Sequence, residues 1–180
     1  MKKIKIKIIR SENVFFGEIL RFKKDDILIN TVRSIREYVE YPEAAAIIPV
    51  MKDGRIIMVE QYRYANKCFS LEIPAGKKDQ KESIKQCAKR ELEEETGYKA
   101  KKIKKLIQYF PAISYSTEVL HIFLAKDLQK GKFNPDKDEF IAIRILSMKE
   151  ILQLITDNII KDSKTILSIL YYASFYSQDF

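Results

Sequence analysis

Apolar and polar positions alternate along much of this chain, and the alternation predicts strands. Residues 3–9 and 14–22 alternate in this way, and 27–39 (ILINTVRSIREYV) continues in extended form. AAAIIPVM at 44–51 is an apolar run too short for a helix to be called from it, and RIIMVEQ at 55–61 follows. Between these two runs Lys52-Asp53-Gly54 carries the Asp-Gly signal of a tight hairpin. Further on, 103–110, 119–125 and 141–146 read as strands, and QKGKFNPDKDEF at 128–139 reads as a loop from its Gly, Asn, Pro and Asp content. From Lys149 the pattern turns helical as one or two closing amphipathic helices, with Asp162 suited to cap the second.

The period changes once in mid-chain. Residues 71–98, LEIPAGKKDQKESIKQCAKRELEEETGY, open extended, turn at Pro74-Ala75-Gly76 and then run as a helix. Residues 82–95 hold five glutamates against Lys85, Lys89 and Arg90, a net of −2 in a chain whose net charge is +8. At ~100° per residue, Ile84, Ala88 and Leu92 form a stripe that faces the core. Glu91 and Glu95 fall in the same sector, Glu94 lies near Cys87 at its border, and Glu93 points the other way. Carboxylates beside a buried stripe lose hydration and repel one another. A hard divalent cation, Mg²⁺ or Mn²⁺, relieves both effects. Arg90 stands one turn before Glu94, where a guanidinium can hold a carboxylate. The plain alternative is a solvated helix laced with salt bridges.

Composition narrows the class. A chain of 180 residues with 46% hydrophobic and 32% charged residues makes one domain, or a domain with a small appendage. Cys68 and Cys87 form no framework, which suits free thiols in a reducing cytoplasm. MKKIKIKIIR lacks an unbroken apolar signal core, and no run reaches the ~18 residues of a membrane span. The lysines are dispersed, and their tightest group, Lys101, Lys102, Lys104 and Lys105, stands before the strand expected at 106–110. No nucleic-acid motif accompanies them, so the basic charge is assigned to a solvated surface or to attraction of a small polyanion.

Gly76, five residues, Glu82, seven residues, Arg90-Glu91-Leu92, one residue, Glu94-Glu95, one residue and Gly97 make a fixed pattern that resembles the Nudix box of Nudix hydrolases. Two of only five glycines fill its two glycine positions; Tyr98 stands where an aliphatic residue is common. QYRY at 61–64, LEIPAG at 71–76, Pro111 and DSKTILSILYY at 162–172 are similar to the ADP-ribose pyrophosphatase branch. Two departures stand out: Lys81 replaces a frequent glycine, and Pro111-Ala112-Ile113-Ser114 precedes Glu118 where Pro-Gly is usual.

The resemblance implies an α-β-α sandwich of the α+β class, with a mixed sheet between helices after an N-terminal antiparallel strand region. It places that dimerising, pocket-building region at 1–41 and the Nudix domain at 42–180. It implies a cytoplasmic homodimer, without nucleic-acid or membrane partners, that uses Mg²⁺ or Mn²⁺ to cut ADP-ribose or a similar nucleoside diphosphate sugar. GDP-mannose and a non-catalytic nucleotide sensor are the alternatives. By the resemblance, Glu91, Glu94, Glu95 and the Ala75 carbonyl hold metal, and Arg90 orients Glu94. Gly76 and Glu82 support the site, Glu82 from the helix start. Arg63 binds phosphate, and Arg36, Glu37 and Glu118 contact the nucleotide. The catalytic base is a glutamate on a late loop, here Glu139, with Asp138 and Glu118 as substitutes. His121, the single histidine, is expected to be a packing or surface residue, and Ser114, Ser116 and Thr117 to form a turn or loop.

Overall fold

The computed structural model describes residues 4–136 and 139–176. The chain forms two compact units, Met1–Glu43 with Phe110–Val119, and Ala44–Tyr109 with Leu120–Phe180.

The first unit is a three-stranded antiparallel sheet of β1 (Ile6–Phe16), β2 (Arg21–Ile29) and β3 (Val32–Glu40), in that order. The expected strand across 14–22 is interrupted. The chain reverses between β1 and β2, where the Gly17 N–H donates to the Leu20 carbonyl at 3.0 Å. The extended run expected over 27–39 is likewise two strands, joined by a turn in which Asn30 takes φ +55°. Asparagine tolerates this left-handed conformation better than most residues. Its Oδ1 accepts the Lys5 N–H at 3.2 Å. Extended apolar runs, Val14-Phe15-Phe16 and Ile27-Leu28-Ile29, lead straight into both reversals, so the hydrophobic pattern does not mark where the strands end. Residues 110–119 lie beside β3, with the Val39 N–H on the Tyr115 carbonyl at 2.7 Å and the Thr117 N–H on the Val39 carbonyl at 3.0 Å.

The second unit contains a mixed four-stranded sheet, β7 (Ala75–Lys77), β4 (Ala44–Pro49), β9 (Leu120–Lys130) and β8 (Tyr98–Tyr109), in which β4 and β9 are parallel. A second sheet, antiparallel, orders β10 (Ile141–Leu146), β5 (Ile56–Arg63) and β6 (Cys68–Glu72). Three helices follow the chain as α1 (Ile84–Thr96), α2 (Met148–Thr156) and α3 (Ser163–Tyr176). The alternate faces of β4 explain its unbroken apolar sequence. Ala44, Ala46 and Ile48 pack with Leu120, Ile122, Ile151, Ile169 and Tyr172, while Ala45 and Ile47 pack with Cys87, Ala88, Leu92 and Phe123. A strand covered on both faces needs hydrophobic side chains at every position.

Several expected boundaries move. The Asp-Gly turn makes only one bridge, Val50 to Ile56, because β4 and β5 then diverge into separate sheets. Lys101, Lys102, Lys104 and Lys105 lie inside β8 and not before it. This strand is the edge of its sheet, where lysines discourage pairing with another chain. β9 continues to Lys130, so the loop begins at Gly131. His121 is buried, and Ser114, Ser116 and Thr117 sit in the connecting segment of the first unit. Among the described residues, no helix is long and apolar enough to cross a membrane.

Helix α1 is bounded by local chemistry. Ser83 and Gln86 form a reciprocal capping box, and Gly97 closes the other end at φ +70° with its N–H on the Glu93 carbonyl at 2.8 Å. A Cβ on Gly97 would also stand 3.3 Å from Cβ of Phe133. Gly97→Ala is therefore expected to cost about 1–2 kcal/mol. Urea unfolding measures this, and an unchanged midpoint would show that the helix end does not need glycine.

Candidate active site

The site is built where the loop between β6 and α1 presses onto the acidic face of α1. β7 pairs antiparallel with β4, Ala46 opposite Ala75 and Ala45 opposite Gly76. The Pro74 carbonyl accepts the Ile47 N–H at 2.9 Å, and the Ala75 N–H donates to Glu95 Oε2 at 2.9 Å. Gly76 makes the closest approach. A Cβ there would lie 2.0 Å from Oε1 of Glu91. Hydrogen replaces the side chain because a carboxylate occupies its place.

Arg90 organises the remaining acids. Its Nε and Nη2 donate to the two oxygens of Glu82 at 3.2 and 2.7 Å, and Nη1 donates to Glu91 Oε1 at 2.8 Å and to Glu94 Oε2 at 2.9 Å. Nη2 also reaches the Lys77 carbonyl at 3.0 Å. One planar cation thus joins the loop to three carboxylates, which suits the fixed fork of a guanidinium. Its own pKa is raised, first by the Glu82 hydrogen bond. Glu82 is not at the helix start as expected; it precedes the Ser83 cap, and its Oε1 accepts the Asp79 N–H at 3.0 Å. Its carboxyl is held below the ordinary range chiefly by Arg90.

Glu91 and Glu95 are 8% and 2% exposed. Burial pushes Glu91 up to about 7 against the charge and hydrogen bond of Arg90, and Glu94 and Glu139 add repulsion. Burial also pushes Glu95 up to about 8, reinforced by the charge of Glu91, opposed by the Ala75 N–H and raised further by Glu139. The pair is short of positive charge. Cys87, buried on the same helix, has its thiol pushed up to about 12 by burial, so it is inert packing.

Residues 40–167 match the family profile of the NUDIX domain. The chain belongs to the NUDIX family. It is 38% identical to a methanol dehydrogenase activator of Bacillus methanolicus, over 92% of this chain and 91% of the relative. It is 37% identical to an ADP-ribose pyrophosphatase of Bacillus subtilis (strain 168), over 95% and 94%. A GDP-mannose pyrophosphatase of Yersinia enterocolitica is 32% identical over 93% and 95%. A crystal structure of an ADP compounds hydrolase superimposes with a TM-score of 0.88 over 99% of this chain and 98% of that one, at 23% identity, a likeness of fold.

NUDIX pyrophosphatases generally depend on a divalent metal, and the donor set here fits one. Its side-chain donors are all hard carboxylate oxygens, crowded and under-neutralised. The hydrogen bonds described leave one oxygen each on Glu91, Glu94 and Glu95. Among the described residues, no three acidic, His or Cys side chains are already converged on a single point. Arg90 and the Ala75 N–H hold the carboxylates instead.

The other expected residues divide between the units. Glu139 is exposed, accepts the Asp136 N–H at 3.2 Å, and is close enough for its charge to act on both Glu91 and Glu95. Its loop is tied to α1, with the Asn134 N–H on the Glu94 carbonyl at 3.0 Å and the Lys132 N–H on Glu93 Oε1 at 3.1 Å. Asp138 lies outside the described residues. Arg36, Glu37 and Glu118 belong to the first unit, where Arg36 Nη1 donates to Ser34 Oγ and the Ile35 carbonyl at 2.7 and 2.8 Å.

Arg63 is not a free surface cation. Its Nε and Nη2 fork onto Glu72 at 2.8 and 2.6 Å, and Lys164 Nζ bonds the same carboxylate. Burial opposes ionisation of Glu72, but the Arg63 hydrogen bonds and the Lys164 charge outweigh it and hold the carboxyl at about 2. Sequence reasoning missed Glu72 and Lys164. The signal available was a lone carboxylate in the apolar strand LEIPAG and a lone lysine in the DSKT turn.

Gly76→Ala is expected to displace the Glu91 carboxylate and lower divalent-metal affinity by about 10–100-fold. Because the obstructing atoms are the end of a flexible side chain, melting should move by no more than about 2 °C. Titration calorimetry with Mg²⁺ beside a thermal melt tests both. In chelator, Glu95 stabilises the fold fully only below its unfolded value near 4.5, and that contribution is lost as pH rises through about 8. Glu95→Gln should therefore melt a few degrees above wild type at pH 8.5 in EDTA, and the gap should close toward pH 5.

Proposed function

We propose that this chain is a homodimeric, cytoplasmic, Mg²⁺-dependent pyrophosphatase that cuts ADP-ribose, or a similar nucleoside diphosphate sugar, into AMP and a sugar phosphate. The observation that carries the reading is the buried pair Glu91 and Glu95 with the Ala75-Gly76 turn folded over it. A surface helix has no reason to bury two carboxylates short of cations. The likeness to an ADP-ribose pyrophosphatase over nearly the whole chain supports the substrate class.

A diphosphate resists hydrolysis because its own negative charge repels the nucleophile. Glu91, Glu95, Glu94 and the Ala75 carbonyl would hold Mg²⁺ or Mn²⁺, which would supply the neutralising charge and Lewis acidity. Water attacks one phosphorus, the bridging P–O bond breaks, and the water's proton passes to the Glu139 carboxylate. Arg90 keeps Glu91 and Glu94 oriented on one side of the helix, and Glu82 keeps Arg90 in place. Arg63 binds a substrate phosphate. The roles of Arg36, Glu37 and Glu118 toward the nucleotide rest on the resemblance alone.

The dimer reading rests on the first unit. Ile6, Ile8, Phe15, Phe16, Val32 and Ile35 are all more than half exposed on its three-stranded sheet. Apolar side chains left exposed along a sheet mark an interaction surface, and a second copy supplies a matching one. Light scattering should return twice the 21.1 kDa chain mass; a monomer at micromolar concentration would remove this part.

The activity is tested by release of AMP from ADP-ribose beside GDP-mannose, dinucleoside polyphosphates and capped RNA, with Mg²⁺ and with EDTA. Turnover of ADP-ribose is expected to exceed the others and to vanish in EDTA. Glu139→Gln should lower kcat by about 10²–10⁴-fold while KM stays within about threefold. Binding without turnover would identify a sensor, and an unaffected rate in Glu139→Gln would move the base to another acid.

A further inference from the structure

The DSKT turn and the carboxylate of Glu72 are not needed by the proposed hydrolysis as such, yet they form a connected device. Asp162 Oδ2 caps α3 by accepting the Thr165 N–H and hydroxyl at 3.0 and 2.6 Å. Thr165 Oγ1 accepts the Ile73 N–H at 2.9 Å, two residues before the Ala75 N–H that holds Glu95. Lys164 Nζ lies 3.1 Å from Asp162 Oδ2 and also bonds Glu72 Oε2. Glu72 in turn holds Arg63 by two hydrogen bonds.

The register shows how directed this is. Glu72 pairs with Val59, four residues before Arg63 on the same strand. To reach Glu72, the Arg63 side chain must lie back along β5 toward the Ile73-Pro74-Ala75 turn, instead of extending into solvent. Glu72 takes the side edge of the guanidinium, Nε and Nη2. The end edge, Nη1 with the second hydrogen of Nη2, is left for a bidentate anion. The charge of Glu95 is felt at Arg63, and that of Lys164 at Glu95. The arginine's charge therefore stands within electrostatic reach of the acidic site.

A buried salt bridge is a weak source of stability, since apolar residues of the same size commonly do as well. Glu72 is 2% exposed and the Lys164 side chain 15%, whereas the Arg63 side chain keeps 42%. The two inner groups are fixed, and the outer one is presented. We propose that Lys164, acting through Glu72, is a positioning residue that sets the Arg63 guanidinium for a substrate phosphate. This rests on the pyrophosphatase reading for its substrate, but the geometry is independent of turnover.

The test compares Lys164→Met, Lys164→Arg, Arg63→Lys and the Arg63→Lys/Lys164→Met double variant. KM and kcat for ADP-ribose are measured with Mg²⁺, and Kd for ADP-ribose by calorimetry in EDTA, where nothing turns over. Lys164→Met is expected to raise both KM and Kd by about tenfold, with kcat within about threefold, and Lys164→Arg to restore most of the loss. In the Arg63→Lys background, Lys164→Met should add less than about twofold, because the partner it positions is gone. Should Lys164→Met melt below the assay temperature, Lys164→Gln keeps a donor for Glu72 and serves the same comparison. A Lys164 variant with KM and Kd within twofold of wild type overturns the proposal, as does an effect that multiplies in full with Arg63→Lys. Wild-type binding in EDTA without AMP release in Mg²⁺ would overturn the pyrophosphatase reading alone, and the Kd series would still decide for Lys164. A wild-type protein that neither binds nor cleaves ADP-ribose overturns both.

Discussion

Two carboxylates removed from water set the terms for the second unit. Glu91 and Glu95 sit on the face of α1 that also buries Ala88 and Leu92, under a turn too close for any side chain at Gly76. Desolvation makes their ionised forms costly, and the nearby cation Arg90 is shared among four carboxyl groups, reaching Asp79 at 4.0 Å as well as Glu82, Glu91 and Glu94. The fold supports this arrangement from outside. The capping box at Ser83, the glycine stop at Gly97 and the pairing of β7 with β4 fix the helix and turn before any acid is placed.

A second charged cluster stands one strand away, with its cations paired. Around Glu91 and Glu95 the acids outnumber their cations, which leaves capacity for an added positive ion. Around Glu72, Arg63 and Lys164 meet one buried carboxylate, with Asp162 beside Lys164, and Glu72 engages only the Nε and Nη2 edge of Arg63, which leaves the other edge for an added anion. The two clusters are separated by three residues of chain, Ile73, Pro74 and Ala75, whose backbone donors are tied to Thr165 on one side and Glu95 on the other. The relation also explains why α3, which packs Ile169 and Tyr172 into the core, begins with a polar turn.

Stability and chemistry pull apart in such a site. Ionised Glu91 and Glu95 weaken the metal-free fold, and the compensating apolar burial comes from β4 and β9, covered on both faces. The double covering has a topological cause. β4 pairs in parallel with β9, and its helices lie on opposite sides. A rigid platform of this kind can hold strained electrostatics in place without local collapse.

The acidic face was legible in sequence, because helical periodicity places Glu91 and Glu95 beside Ala88 and Leu92 whatever the surrounding fold. The box spacing, the strand at Ile141–Leu146 and the cap at Asp162 were legible for the same reason, each being set by local geometry. The reversals at Gly17 and Asn30 were not, since apolar residues run up to both turns and the hydrophobic pattern does not mark the end of a strand. Nor was the parting of β4 from β5, which depends on which sheet each edge meets. Glu82 showed its spacing but not its task, because that task is a contact with Arg90 eight residues away, across the cap. Glu72 and Lys164 are 92 residues apart, and no period connects them. Sequence alone determined which faces each segment would present. Only the tertiary structure decided which of those faces meet, because charge pairing acts over a few ångströms of space and is indifferent to distance along the chain.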